Sequence, residues 1–398
     1  MRYRQSKINK KTPSPFTNNP EHHSQNNRQA PPFTTQHIDT AYQWLIKQRQ
    51  HYPDSADIWH LRFHWKHERE ALLLAVNSGR YRFSPLQVIK KADGETLALW
   101  ASRDALVLKM LTAVLAPVLP VHRLREHVRG HGGGRQSTLR VHHHLQGSNT
   151  PFVFRTDIKG YYAAIDKQRL YTQLVGHVTH PVLLDLLAQL LHYSVEDGGN
   201  FHTPTRGISR GAALSPLLAA FHLYAVDCDF AAQPRVRYVR YMDDFLILAP
   251  TRWSLRRAVA RLKQHLHAWG FTLHPDKTQL GRTEQGFDWM GLWFDRNGVR
   301  SFAPRAIEKH RLQCRRLYER IRNLNKDVQA ARMAMYRRRW VRALVPLTVG
   351  LVCQGAVDLT PHRCFESEFP PTISAHCVCT RRCVAVLSLH GRKGRCYS

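Results

Sequence analysis

The stretch RVRYVRYMDDFLILAP, residues 235–250, constrains this chain more than any other. Two adjacent acids, Asp243 and Asp244, sit between the apolar runs Tyr238-Val239 and Phe245-Leu246-Ile247-Leu248. Short β-rich runs around a polar pivot predict a hairpin with the acids at its turn. Carboxylates in apolar surroundings are unfavourable unless something neutralises them. Mg²⁺ is bound by one or two carboxylates together with substrate phosphates, so the pair reads as half of a metal site. An ordinary Asp-Asp turn has the same local pattern. The rest of the chain decides between them.

A third acid ends a second predicted strand. In PFVFRTDIKGYYAAID (151–166) the apolar run stops at Asp157, and Gly160, two tyrosines and a helix start follow. An acid there, beside aromatics, suits a metal and a nucleotide; a helix-capping Asp is the plainer alternative. TRGISRGAALSPLLAAFHLYAVDCD (205–229) reads as a loop with Gly207 and Gly211 that opens a helix. Ser215 is the expected N-cap and Pro216 the first helical residue. The loop backbone is placed to pack on a base pair. LHPDKT then contributes Lys277. Two-metal phosphoryl transfer needs carboxylates that hold two cations roughly 3.5–4 Å apart. It also needs a proton donor for pyrophosphate and a basic track for the strands. Asp157, Asp243 and Asp244 suit the first requirement, Lys277 the second and the arginine-rich segments the third.

The charge balance fits such a track. Across 398 residues, 59 Lys+Arg stand against 29 Asp+Glu, a formal net charge of +30. That surplus favours a polyanionic partner, nucleic acid ahead of an anionic membrane surface. The longest apolar run, Ala343–Cys353, is shorter than the ~20 residues a membrane span needs and contains Pro346. The N-terminus has no apolar signal region. Only Cys228 and Cys314 of the eight cysteines precede residue 350, which is no disulfide framework and reads as a reducing cytoplasm.

Periodicity predicts helices over 37–50 and, as one continuous element, over Asp57–Asn77. A strand, turn and strand follow over Tyr81–Leu99, then a helix capped by Ser102. Residues 127–149 are glycine-rich and basic, with Arg129, Arg135 and Arg140; they read as a flexible loop, and the run His142–His144 as solvated surface. Residues 166–195 and 253–269 read as helical. Residues 304–342 are a very basic helical region whose Tyr318, Tyr336 and Trp340, interleaved with arginines, suit backbone tracking on nucleic acid. Six cysteines lie after residue 350 without paired C-x₂-C spacing; zinc binding is the weaker expectation and a disordered tail the stronger.

Taken in order, YRFSP, KKADGE, SRDALVLKML, FRTDIKGYYAAID, GISRGAALSPLLA, YMDD, LHPDKT and FDWMGLWF resemble the motif series of bacterial reverse transcriptases. The similarity is to the group II intron-like and retron-related lineage, and within it to the poorly characterised bacterial groups. It runs from about Tyr81 to Phe294. YMDD alone is a short string; the ordered set is specific.

The resemblance implies an α+β right-hand polymerase with fingers, an antiparallel-sheet palm and a short helical thumb. Residues 1–36, rich in Asn, Gln, Pro, Ser and His, read as a disordered basic segment, and on the resemblance 37–300 are the fingers and palm. Residues 301–345 are a thumb-like region, and 346–398 a Cys-rich, poorly ordered tail. It implies that Asp157, Asp243 and Asp244 hold two Mg²⁺ ions, with Mn²⁺ as a substitute and the backbone of Ile158 joining them. Tyr162 matches the aromatic gate against a ribose 2′-OH, and Lys277 the lysine that protonates the leaving group. Gly211, Ser215 and Pro216 match the loop on the nascent base pair; Tyr241 and Met242 lie beside the primer end.

Two departures stand out. Arg210 stands where the family often has Gln. Leu97 and Leu99 stand where basic triphosphate contacts are common, with Lys90, Lys91 or Arg103 as substitutes. The implied activity is RNA-directed DNA polymerisation from a primer 3′-OH, with dNTPs, an RNA template, and a DNA or RNA primer. A dedicated structured non-coding RNA is a further expected partner, and no membrane is. A non-catalytic, maturase-like RNA-binding protein on the same scaffold and a phage-defence polymerase are the alternatives.

Overall fold

The computed structural model describes residues 30–90, 96–123, 127 and 132–344. Three helices open it: α1 (Thr35–Arg49), α2 (Asp57–Phe63) and α3 (Trp65–Asn77). Order begins before residue 37. Phe33 is only 2% exposed, and Thr34 caps α1 in a reciprocal capping box with His37. The expected single helix over Asp57–Asn77 breaks at His64 into α2 and α3.

Strands β1 (Leu86–Lys90) and β2 (Thr96–Leu99) form the expected antiparallel hairpin, followed by α4 (Ser102–Leu115). Ser102 does not cap α4; the N-cap is Ala101, without a side-chain cap. Ser102 Oγ instead donates to Asp57 Oδ1 at 2.7 Å and accepts from Arg49 Nη1 at 2.6 Å. A partner distant in sequence outcompeted the local cap. Asp104, in the first turn, is buried and accepts from the Tyr81 hydroxyl at 2.6 Å.

The glycine-rich segment departs most from expectation. Residues Gly133–Gly147 are helix α5, with Ser137, Thr138, Val141, His142 and Leu145 inward. At helical spacing the three consecutive histidines point in different directions, His143 exposed and His144 half-buried. His142 is buried, and its Nδ1 accepts from Val299 N at 3.2 Å.

The chain continues through β3 (Phe152–Asp157), α6 (Tyr161–Ala164), α7 (Lys167–Val175), α8 (Pro181–Leu191), β4 (Val195–Asp197) and β5 (Asn200–His202). Next come α9 (Ser215–His222), α10 (Tyr224–Ala231), β6 (Arg237–Tyr241), β7 (Asp244–Ala249) and α11 (Arg252–Ala268). A 3₁₀ turn at Pro275–Lys277 precedes β8 (Gln279–Arg282), β9 (Phe287–Trp289), β10 (Leu292–Asp295) and β11 (Gly298–Phe302). Helices α12 (Pro304–Ile321) and α13 (Lys326–Leu344) close the described chain.

The central sheet runs β6-β7-β3-β8 and is antiparallel throughout. Its period-2 alternation sorts side chains to two cores. Phe154, Phe245 and Ile247 join the large core that includes Leu255, Leu262 and Leu266 of α11. Val153, Val239, Leu246 and Leu248 join a second core with Val141 and Leu145 of α5 and the aromatic sheet β9-β10-β11. Burying each such Leu, Phe or Val contributes about 1.5–3 kcal/mol, so a strand apolar on both faces is stable only when covered twice. A second sheet, β2-β1-β4-β5, joins the β1–β2 hairpin to β4 through a parallel pair, Leu86 opposite Val195. The architecture is the α+β fingers and palm arrangement.

Helices α12 and α13 pack through Cys314, Ile321 and Met333. The His310 ring stacks on Tyr336 and Trp340, with centroids 5.3 and 4.0 Å away. Those two aromatics are half-buried and pack on α12. The cysteine-rich tail after residue 350, and with it the zinc expectation, lies outside the described residues, as do Lys91 and Arg129. No helix among the described residues is long and apolar enough to cross a membrane.

Candidate active site

The hairpin β6–β7 turns at Met242-Asp243, which leaves Asp244 as the first residue of β7, opposite Tyr241. On its other side Asp244 pairs with Asp157, the last residue of β3. Two strand ends 87 residues apart in sequence are thus placed side by side by sheet register. One carboxylate oxygen from each of Asp157, Asp243 and Asp244 lies within 4.8 Å of the others. The turn is tied to β3 by Ile158 N, which donates to the Asp243 carbonyl at 3.1 Å. The Ile158 amide is therefore occupied and its side chain is buried.

The turn is strained and held. Met242 has φ +55°, a left-handed conformation that costs a non-glycine residue about 1–3 kcal/mol. Both of its backbone polar groups are fixed by side chains. Arg240 Nη1 donates to the Met242 carbonyl at 3.0 Å, and Met242 N donates to His127 Nδ1 at 2.9 Å. Arg240 is fully buried. Its Nε donates to Asp227 Oδ1 at 2.7 Å, its Nη2 to Asp227 Oδ2, and Tyr238 donates to the same carboxylate at 2.8 Å. Burial opposes the Arg240 charge, but Asp227 outweighs it and holds the guanidinium pKa above its ordinary value.

Electrostatics at the three acids favour a countercharge. Burial raises the Asp243 pKa, and the neighbouring Asp157 carboxylate raises it further. Burial pushes Asp244 up to about 6; Arg155, with Nη2 at 3.3 Å, opposes this, and Asp157 and Asp243 reinforce it. Arg155 also lies 3.8 Å from Asp288. Lys277 Nζ pairs with Asp157 Oδ2. The donor set is all oxygen and partly buried, which fits a hard divalent cation.

The sign of the pH effect follows. With a folded pKa of about 6 against an ordinary 3.8, folding binds a proton at Asp244 between those values. The associated stability is fully present below about 3.8 and lost as pH rises through about 6. Asp244→Asn in metal-free protein is expected to unfold about 2–4 °C above wild type at pH 7, the shift that about 1 kcal/mol produces in a domain of this size. The gap should shrink toward pH 4. Thermal unfolding across pH 4–7.5 measures it, and a gap independent of pH would exclude this account.

The remaining positions cluster around α6. Tyr162 is buried to 7% exposure, with the exposed Arg210 guanidinium 5.8 Å from its ring centroid. The loop carrying Arg210 is fastened to α6 by Gly207 N donating to Ile165 O and Ile208 N to Tyr162 O, both at 2.8 Å. Gly207 has φ +85°, and a Cβ there would lie 2.8 Å from the Ala163 backbone. A Cβ on Gly211 would meet the Ala98 carbonyl of β2 at 2.9 Å, so this glycine lets the loop close on the fingers hairpin. Ser215 is fully buried; its hydroxyl donates to Ser209 O and does not cap α9, whose N-cap is Leu214. Pro216 is exposed, and its carbonyl lies 3.4 Å from His127 Nε2. Arg103 is engaged by Glu68 at 3.2 Å.

Sequence reasoning assigned no role to Arg155, Arg240 or His127. An arginine inside an apolar strand was the available signal for Arg240. Its partner Asp227 lies on another element, which no local pattern shows.

Residues 101–294 match the reverse transcriptase (RNA-dependent DNA polymerase) family. The matched region contains all three acids, Tyr162 and Lys277. The chain is also similar to the putative COX1/OXI3 intron 1 protein of Saccharomyces cerevisiae, 21% identical over 205 residues. That alignment covers 47% of this chain and 23% of the yeast protein, so the chain spans about a quarter of that relative's length. Among solved structures, apo telomerase of Candida tropicalis is similar at 12% identity and a TM-score of 0.43, covering 59% of this chain and 53% of that one. The same telomerase truncated from its C-terminal domain gives 14% identity and 0.40, covering 50% and 45%.

Proposed function

We propose that the chain is an RNA-directed DNA polymerase that extends a primer 3′-OH with dNTPs on an RNA template. The observation that carries this reading is the convergence of Asp157, Asp243 and Asp244 at two adjoining strand ends within the reverse transcriptase region. The three carboxylates would hold two Mg²⁺ ions, with Mn²⁺ as a substitute. Bound there, the metal supplies Lewis-acid activation of the attacking hydroxyl and neutralises charge on the leaving pyrophosphate.

The chain's own groups do the rest. Arg240 and His127 fix the turn that presents Asp243. Arg155 orients Asp244 from β3. Lys277, paired with Asp157 beside the cluster, is placed to act as the proton donor to the leaving pyrophosphate. Tyr241 and Met242 lie at the turn where the primer end is placed. Arg210, Gly211 and Pro216 border the nascent base pair, and buried Ser215 shapes their loop. Tyr162 stands as the sugar gate. Primer extension on RNA with dNTPs and Mg²⁺ tests the activity; no extension on any template would overturn it.

A gate at Tyr162 has its own consequence. Tyr162→Val is expected to raise ribonucleotide relative to deoxyribonucleotide incorporation by about 10- to 100-fold, the discrimination available from one small group in a pocket. Unchanged sugar selectivity in single-nucleotide kinetics would remove the gate role.

A second reading has one observation in its favour. The yeast relative is named an intron protein, which suits a maturase-like RNA-binding role with a structured RNA as partner. RNA binding that survives EDTA, with no polymerisation, would select that reading. A phage-defence role shares the chemistry of the first. The described cysteines, Cys228 and Cys314, are free thiols, compatible with a reducing, cytoplasmic setting.

A further inference from the structure

Helix α11 has a basic outer face turned away from the sheet it covers. Its inner residues Ser254, Leu255, Ala258, Val259, Leu262 and Leu266 are buried. Arg252, Trp253, Arg256, Arg257, Lys263 and His267 are exposed. At 3.6 residues per turn, Arg252, Arg256, Lys263 and His267 fall within about 60° of one another, a line about 22 Å long. No acid occurs between Asp244 and Asp276 in sequence. Arg261 and His265, further round the helix, pair with Asp229. Trp253 is 72% exposed, and the Arg256 guanidinium lies 5.7 Å from its ring centroid.

At its C-terminal end α11 meets a groove of about 610 Å³ whose lining includes Arg169, Arg206 and Trp269, with Asp166 the one acid. Arg169 stands 5.2 Å from the Trp269 centroid. The start of α11 is remote from the three acids. It follows the far end of β7, about 17 Å along the strand from Asp244, and packs against β7 and β3 from the helix-covered side of the sheet.

We propose that the outer face of α11, from Trp253 to the Trp269 groove, binds a single-stranded polynucleotide distinct from the primer–template at the acids. Cations at helical spacing meet successive phosphates, which gives affinity without base readout. The start of the helix offers the exposed Trp253 indole beside a guanidinium, the pairing that stacks unpaired bases, and its end the half-buried Trp269 beside Arg169. An acidic protein would be met by the charges alone and would leave a 72% exposed Trp253 unexplained. A duplex hides the base faces that the indoles need. The inference goes beyond polymerase activity and does not require it.

The test uses the full chain with its cleft filled by excess hairpin primer–template, then titrated with fluorescent 20-nucleotide RNA or DNA. Wild type should bind the second strand. Arg252→Gln/Arg256→Gln/Lys263→Gln should bind it at least tenfold more weakly, with a salt slope shallower by about 2, as loss of three phosphate contacts at ~0.7 each requires. Extension of the hairpin should be unchanged. Photo-crosslinking of a 4-thiouridine oligonucleotide to wild type should label residues 252–269, which keeps the test independent of how the variant folds. Equal loss with RNA and DNA marks backbone-and-stacking recognition, and loss with RNA alone a 2′-OH contact; both support the surface. Unchanged affinity and slope, crosslinks confined elsewhere, or loss of an acidic protein's binding alone would overturn it. A protein that extends no primer but retains α11-dependent oligonucleotide binding would sink the polymerase reading and leave this one standing.

Discussion

Asp243→Asn should reduce primer extension by at least about 10³-fold while leaving primer–template affinity within a few-fold of wild type. Asp243 is at the turn, half-exposed, with Asp157 and Asp244 oxygens within 4.8 Å. An amide keeps the shape of the side chain and removes the charge that a divalent cation needs. Lewis-acid stabilisation contributes several kcal/mol, and each 1.36 kcal/mol is tenfold in rate, so about 4 kcal/mol gives the stated loss. Nucleic-acid affinity comes mainly from phosphate contacts with Lys and Arg, which the substitution leaves intact. Single-turnover extension paired with an anisotropy titration separates the two quantities. Wild-type rates in Asp243→Asn would show that the site is misassigned.

Arg240→Met should destabilise the protein by about 3–5 kcal/mol, the penalty for stranding one member of a buried ion pair. It leaves Asp227 fully buried with only Tyr238 donating to it. At about 2–4 °C per kcal/mol, thermal unfolding should fall on the order of 10 °C. The double variant Asp227→Leu/Arg240→Met should recover much of that loss, because replacing both charges with apolar groups removes the stranded carboxylate. Activity should not recover with it. The Met242 carbonyl still lacks its Arg240 donor, and the φ +55° turn loses one of its two side-chain anchors. A double variant that regained both stability and rate would reduce Arg240 to a structural role.

These two residues, three apart in sequence, show how much of the protein was legible beforehand. Asp243 is half legible: the alternation of apolar runs predicts the hairpin, while a metal-binding pair and an ordinary Asp-Asp turn look alike until Asp157 is added. Arg240 was visible as an oddity without a partner. Asp227 sits on α10 at a distance that helix and strand geometry set, so the pair is a tertiary fact. The misread segments share that cause. Ser102 and Ser215 both open helices and resemble caps, yet one turns to Asp57 and the other to Ser209. Residues 133–147 carry a helical stripe, but three glycines at its start outweighed it in a local reading. Tyr336 and Trp340 carry a pattern suited to stacking, and only the fold shows that both stack on His310 of α12.

The sequence by itself determined the strand and helix types of the central sheet, marked the three acids and Lys277 as candidates, and set the basic character of the whole. Each rests on short-range physics: period-2 and period-3.6 burial, turn chemistry and charge. The tertiary structure alone decided that Asp157 stands opposite Asp244, because register between β3 and β7 is set by cores on both faces of the sheet. It also decided which cations are already spent on Asp157, Asp227 and Asp229, and which lie open along α11. Long-range pairing is a competition among many partners, and only the folded chain contains them all.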